Sequence, residues 1–426
     1  MKRFFIIPAL ISFFVGCNTI DIPTEVNQTS IVNSQTITPE EALSNLELFI
    51  NSHNRVTTKA SENFTLDIRS IEAIGSEMLS VQTKANNTIH IPDTLFYIAN
   101  LSEGFAVLAG NKELESDVFC LTESGELNGK DFSEAFAYLN STEFDDVTEE
   151  STEIGPKVVP AILLSAILNE YQMKIITKSS FTDTDRDEDG NLKTEETLSG
   201  TKTGPFLKTK WLNSTVAPFN TYTPNKVAPG CVAIAVAQIM EYNRKSNTMV
   251  FNNVTCDWDV METVCRYDNI NDKGTEAARE QVGNFIYEIG KKHNCYIRYD
   301  NGSGAVADGA KRTFENYGYK NVDKRIGFAS GDKKKVKEQI LDGRPVYMGG
   351  CVKGSVTKGH TWVIDGLLGD YYHINWGWQG LSDGYYKIGV FTTSSRSAID
   401  SEIDYQETGT NPGSYIWTYR IVLYSL

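Results

Sequence analysis

Three short stretches hold side chains that could do nucleophilic chemistry. The first is Ala228-Pro229-Gly230-Cys231-Val232-Ala233-Ile234-Ala235-Val236-Ala237-Gln238-Ile239-Met240. Pro229 and Gly230 break whatever precedes them, and the apolar, small-residue run predicts a buried helix of about three turns. Cys231 would then sit in the first turn. Unpaired N–H groups and the helix dipole favour an anion there, and so favour thiolate over thiol. Gly230 carries no side chain and lets another backbone come close. Taken alone, a Cys in an apolar run is more often a small core residue. Its reading as a nucleophile rests on partners further along.

The chain has five His. His53 and His90 fall far from Cys231 in the chain. His293, in Lys291-Lys292-His293-Asn294, reads as solvated at a charged helix end. His373, between Tyr372 and Ile374, reads as a satisfied core residue. His360 differs: it follows Gly359 and a loop of Gly, Ser and Lys, and it opens a strand. An exposed His held by rigid backbone at a strand mouth suits a general base. The third stretch is His373-Ile374-Asn375-Trp376-Gly377-Trp378, followed by Asp383-Gly384. Asn375 could accept the outer N–H of the His360 imidazole, and Trp376 could shield that bond. Read blandly, Asn375 is a turn residue and Trp376 plain core.

The elements that must position these groups follow from pattern. With 426 residues the chain exceeds one ordinary core, so two domains are expected. Residues 18 to about 36 are rich in Thr, Asn and Ser and read as a tether. Thr38-Pro39-Glu40-Glu41 starts a helix: Thr38 as cap, Pro39 at the first position, Ala42, Leu46, Phe49 and Ile50 at helical spacing. Thr94–Ala99 and Phe105–Ala109 read as a hairpin, with Phe119-Cys120-Leu121 as a third strand, giving a small α+β domain. Pro160 to Ile176 reads as a helix with Pro160 in its first turn. A polar linker, Thr177 to Thr203, comes next. From Gly204 onward, helices at 231–240, 275–294 and 310–316 precede strands at 346–348, 361–364, 371–374, 384–388 and 417–424. That order is α+β.

Composition narrows the partners. The chain is 40% hydrophobic and 22% charged with net charge −15, which argues against nucleic acid and anionic membrane surfaces. Lys2-Arg3 and the apolar stretch Phe4–Val15 read as a secretory signal over residues 1–16. Its end, Phe14-Val15-Gly16-Cys17, resembles a bacterial lipobox, with Phe14 where Leu is usual. Lipidation at Cys17 and a plain secretion signal are the two readings; no later apolar run is long enough to cross a bilayer. The seven Cys include no CxxC, which suggests neither a disulfide framework nor a zinc site. In the linker, Asp185, Asp187, Asp189, Gly190, Asn191, Leu192 and Glu196 fit the twelve-residue calcium-loop pattern. A solitary calcium site and an acidic, protease-accessible linker both fit those residues.

Gly230-Cys231-Val232-Ala233, Ala237-Gln238-Ile239-Met240, Gly359-His360 with Val363-Ile364-Asp365-Gly366, and Asn375-Trp376-Gly377-Trp378 with Asp383-Gly384 resemble, in order, the signatures of the streptopain family of bacterial cysteine peptidases. The likeness runs from Pro205 to the C-terminus. It implies an α+β, papain-like cysteine peptidase domain, with a helical part and an antiparallel sheet part, over 204–426. A small α+β domain over 37–155 would be its inhibitory propeptide, and 156–203 a helix and processing linker. Residues 1–16 stay the signal peptide and 17–36 the tether. By this resemblance Cys231 is the nucleophile, His360 its base and later acid, and Asn375 and Trp376 hold His360. Gly359 and the loop Ser303-Gly304-Ala305 would border the substrate cleft, Ala305 standing where a Ser is expected. Asn213, counted from Trp211, stands where the family has a Gln that donates to the oxyanion, with one methylene less. The implied reaction is acyl transfer through a thioester, with no catalytic cofactor, on protein or peptide substrates. The chain's own propeptide would be its inhibitor, and the membrane would be met only through an N-terminal lipid. Two other readings use the same residues: a surface binding protein on an impaired peptidase fold, and a peptidase inhibitor.

Overall fold

The computed structural model describes residues 35–56, 63–75, 93–112, 114, 116–140, 154–179, 202–245, 249–299, 307–352, 359–391 and 417–426. In chain order the elements are α1 (Pro39–Val56), β1 (Ile68–Ile74), β2 (Phe96–Leu101), β3 (Phe105–Ala109), β4 (Val118–Thr122), α2 (Gly129–Asn140), α3 (Ile154–Ser179) and β5 (Lys202–Thr203). Then come α4 (Cys231–Asn243), β6 (Met249–Phe251), β7 (Val254–Cys256), α5 (Trp258–Glu262), α6 (Glu276–Gly290), α7 (Ala307–Asn316), β8 (Lys320–Ile326) and α8 (Ser330–Leu341). The last are β9 (Val346–Val352), β10 (Gly359–Leu368), β11 (Tyr371–Asn375), β12 (Gly384–Lys387) and β13 (Trp417–Ser425). The architecture is α+β. The calls on Cys17, on the signal, on the calcium-pattern residues and on Ser303, Gly304 and Ala305 fall outside the described residues.

One antiparallel sheet organises the chain. Its order is β1-β2-β3-β4-β12-β11-β10-β9-β13-β8, with β5 added beside β10. Strands before residue 180 and strands after 340 therefore share one ladder, joined where Leu121 faces Tyr385 and Cys120 faces Tyr386. The two-residue side-chain period of a strand divides each central strand between two cores. Val346, Met348, Trp362, Ile364 and Ile421 pack with α1, α2 and α3 on one face. Tyr347, Val363 and Val422 pack with α4, α6 and α7 on the other. α1 earns its place by pattern: Ala42, Leu46 and Ile50 are buried at helical spacing, and the Thr38 hydroxyl accepts from Glu41 N at 3.2 Å.

The expected helix at 160–176 is longer. It runs from Ile154 to Ser179, so Pro160 lies inside it and Pro156 occupies the first turn. Pattern also missed α2, the largely polar α8, and the edge strands β1 and β8, which are half exposed. Among the described residues no helix is long and apolar enough to cross a membrane.

A charged cluster sits where the two parts of the sheet meet. The β10–β11 register shifts between Ile364 and Gly366, leaving Asp365 in a bulge. Its carboxylate meets His373 Nδ1 at 2.6 Å, and the far ring nitrogen meets Glu123 Oε1 at 3.0 Å. The core His373 of the sequence is thus satisfied on both nitrogens. Burial opposes its charge, but Asp365 and then Glu123 raise it to a pKa of about 9. Lys210, Asp383 and His53 also face the cluster; burial lowers His53 to about 4.

A folded-state pKa above the unfolded value near 6.5 gives stability that is full below that value and lost as pH rises through about 9. Calorimetry of the full-length Cys231→Ala protein should therefore show its Tm falling by a few degrees between pH 6.5 and 9.5. In a His373→Gln variant that slope should flatten. An unchanged slope would mean that His373 carries no charge in the folded chain.

Candidate active site

Cys231 is the first residue of α4, and Gly230 caps the helix at φ 95°, a conformation that needs glycine. α4 packs against β10, so its start faces the strand that carries His360. The Cys231 thiol is hydrogen-bonded to Thr361, the residue after His360. The sequence therefore brings the proposed nucleophile beside the proposed base.

The two are not paired in this structure, and strand alternation gives the reason. Thr361 lies on the α4 face, where its hydroxyl is 3.4 Å from Tyr347 Oη. His360 lies on the opposite face. Its ring stacks on Trp378 at 4.5 Å, with Trp376 and Trp362 at 6.2 and 6.4 Å. The sequence suggested an exposed His; it is only 7% exposed because three indoles enclose it. Burial holds its pKa down at about 4, against a hydrogen bond to Trp376 that pulls the other way. Burial also raises the Cys231 thiol, and the Thr361 bonds only partly offset this. Burial thus works against the thiolate expected from the helix start, and the neutral imidazole offers no compensating charge.

Asn375 is also placed differently from expectation. Its Oδ1 accepts from Gln238 Nε2 and from Gly377 N, each at 3.0 Å. His360 Nε2 instead meets the carbonyl of Trp376 at 2.7 Å. The Asn thus shapes the turn whose carbonyl holds the imidazole. Gln238 completes the frame, its Oε1 accepting from Trp211 N at 2.9 Å and Thr209 Oγ1 at 3.4 Å. Asn213 N donates to Gly377 O at 2.8 Å, and Asn213 Oδ1 accepts from Gly230 N at 2.9 Å. The side-chain amide of Asn213 therefore stands one residue from Cys231. Gly359 pairs with Cys351 at the start of β10, where a Cβ would come within 2.6 Å of Gly350 O.

Three further residues matter, and sequence reasoning gave them no role. Lys210 Nζ donates to Asp383 Oδ2 at 2.7 Å, and Asp383 Oδ1 accepts from Trp376 N at 2.8 Å. Gln238 is the third. A lone amide inside an otherwise apolar helix, and an Asp beside the turn glycine Gly384, were the signals available.

Replacing Gln238 with Leu would leave Trp211 N without a buried partner, at about 1–3 kcal/mol, and would take away one of the two donors to Asn375 Oδ1. Urea denaturation of Gln238→Leu should show a loss in that range, and a stability equal to the parent would refute the frame described here.

Comparisons with known proteins found a family model, curated relatives and solved structures similar to this chain. Residues 213–386 match the model of the Peptidase C10 family. Over 216 residues the chain is 27% identical to streptopain of Streptococcus pyogenes, covering 42% of this chain and 53% of that protein. It is 25% identical over 235 residues to the thiol protease/hemagglutinin PrtT of Porphyromonas gingivalis, covering 48% of this chain and 25% of that one. Among solved structures, a fragment of prointerpain A from Prevotella intermedia aligns at TM-score 0.49 and 20% identity, over 76% of this chain and 94% of the fragment. Active interpain A from the same organism aligns at TM-score 0.38 and 24% identity, over 52% and 94%. The chain spans about half the length of the curated streptopains that it matches. The stretch 213–386, which carries Cys231, His360, Asn375 and Trp376, is similar to the Peptidase C10 family.

Proposed function

We propose that the chain is the inactive precursor of a cysteine endopeptidase that acts on proteins or peptides. The observation that carries this reading is the Cys231 thiol at the start of α4, bonded to the neighbour of His360 and flanked by the Asn213 amide. In the active form the His360 imidazole leaves the Trp376 carbonyl and takes the Cys231 proton. The thiolate then attacks a peptide carbonyl. The developing oxyanion is met by Cys231 N–H, a donor at the helix start, and by the Asn213 amide. His360 protonates the leaving amine, and water hydrolyses the thioester.

The raised thiol, the neutral imidazole and their separation onto two faces of β10 support a resting precursor. On this reading residues 37–155 act as the propeptide, and cleavage between about 177 and 203 releases the peptidase. We propose further that residues 1–16 export the chain, that Cys17 carries a lipid at the cell surface or in the periplasm, and that the cut frees the enzyme from it. Calcium in the Asp185–Glu196 loop would shield that linker from cleavage.

Mass spectrometry over time, wild type beside Cys231→Ala, tests the central claim. Wild type should shorten within 177–203 and the variant should not. Iodoacetamide should label Cys231 faster after shortening than before. If neither protein shortens, even with a trace of active protease, and Cys231 labels no faster than Cys351, the binding-protein reading takes over.

In the shortened enzyme, Asn213→Ala should lower kcat by roughly 10²–10³ with little change in KM. An unchanged kcat would remove Asn213 from the oxyanion site.

A further inference from the structure

The turn after β4 grips the turn that holds the His360 acceptor. Beyond the β4–β12 ladder, Glu123 N donates to Asp383 O at 2.7 Å, and Ser124 Oγ donates to Gly380 O at 2.6 Å. Gly384 makes the approach feasible: at φ 155°, a Cβ there would meet Leu121 O and Thr122 Cα at 2.5 Å.

The Glu123 carboxylate adds charge to this grip. It reaches His373 Nε2 at 3.0 Å and Lys210 Nζ at 3.6 Å, with 39% of its side chain still exposed at the rim. Its partners are buried: His373 and Asp383 at 0% and Lys210 at 7%. Lys210 passes the contact inward. It pairs with Asp383, Asp383 holds Trp376 N, and the Trp376 carbonyl holds His360. An ion pair at 3.6 Å and three hydrogen bonds at 2.7–2.8 Å thus join a residue before 180 to the imidazole.

We propose that Glu123 is an ionic latch, seating the segment before residue 180 on the Trp376–Gly384 turn and thereby tying its presence to the position of His360. The latch rests on the precursor reading for its biological meaning, but not for its physics. Charge balance suits a device that must open. Without Glu123, Lys210 and His373 still face Asp383 and Asp365, two cations against two carboxylates. Departure of the segment strands no buried charge.

Hydrogen–deuterium exchange on full-length Cys231→Ala protein tests the latch without any catalysis. Adding Glu123→Gln, isosteric but uncharged, should speed exchange at least about tenfold in peptides spanning 118–125 and 376–386. Peptides from β9 and β10 should not change. Glu126→Gln is the control, because Glu126 pairs with Arg69 inside the same segment. Ser124→Ala, which removes only the Gly380 contact, should give a smaller rise at the same peptides. If Glu123→Gln exchanges like Glu126→Gln, the latch is refuted. With Cys231 restored, Glu123→Gln should shorten earlier than wild type. A chain that never shortens yet shows the exchange difference keeps the latch and loses the peptidase reading.

Discussion

Asp383 is the constraint on which the site depends. It is wholly buried, and it divides its two oxygens between Lys210 Nζ and Trp376 N. A buried carboxylate is tolerable only when paired and hydrogen-bonded. Because Asp383 is fixed from both sides, the turn from Asn375 to Gly384 is held against the stretch 209–212. That stretch in turn sets Asn213 against Gly230, at the helix start. Cys231, the Asn213 amide and the carbonyl that holds the imidazole are all placed by one ion pair. Gln238 repeats the logic with neutral groups, tying Trp211 to Asn375 across the same gap.

The central sheet explains how one chain keeps an imidazole and a thiol near each other without joining them. β10 is buried on both faces, so consecutive residues enter different cores. Thr361 looks toward α4 and the thiol, whereas His360 looks toward three Trp residues on the side where α1, α2 and α3 pack. On the proposed precursor reading, a change of imidazole orientation at a single strand position separates the resting arrangement from a working one. The apolar packing on the α1–α3 side stabilises the first.

Much of this was legible in the residues. The break at Pro229-Gly230, the small-residue helix, and the Gly359-His360 and Asn375-Trp376 pairs marked the site before any coordinates. So did the capped helix at Thr38 and the hairpin about Asn100–Gly104, both of which depend on near neighbours. What escaped depended on distant partners. Nothing local to His360 says that Trp378 will cover it, and nothing local to Asn375 says that Gln238 will claim its oxygen. The two-sided burial of β10 was equally hidden, because an apolar run is the same whichever core receives each residue. α8 was missed because its polar surface dilutes the helical period; α2 was passed over although Phe132 and Ala135 are buried at helical spacing.

β12 is four residues long and lies between β4 and β11. As long as β4 covers it, its outer backbone groups are hydrogen-bonded. Once that cover leaves, β12 becomes the rim of the remaining sheet, and a rim of bare amides invites any extended chain to add itself. The length of β12 limits the danger, and Lys387 at its end places a charge on that rim. The released enzyme would thus carry a short, charged margin that resists self-association.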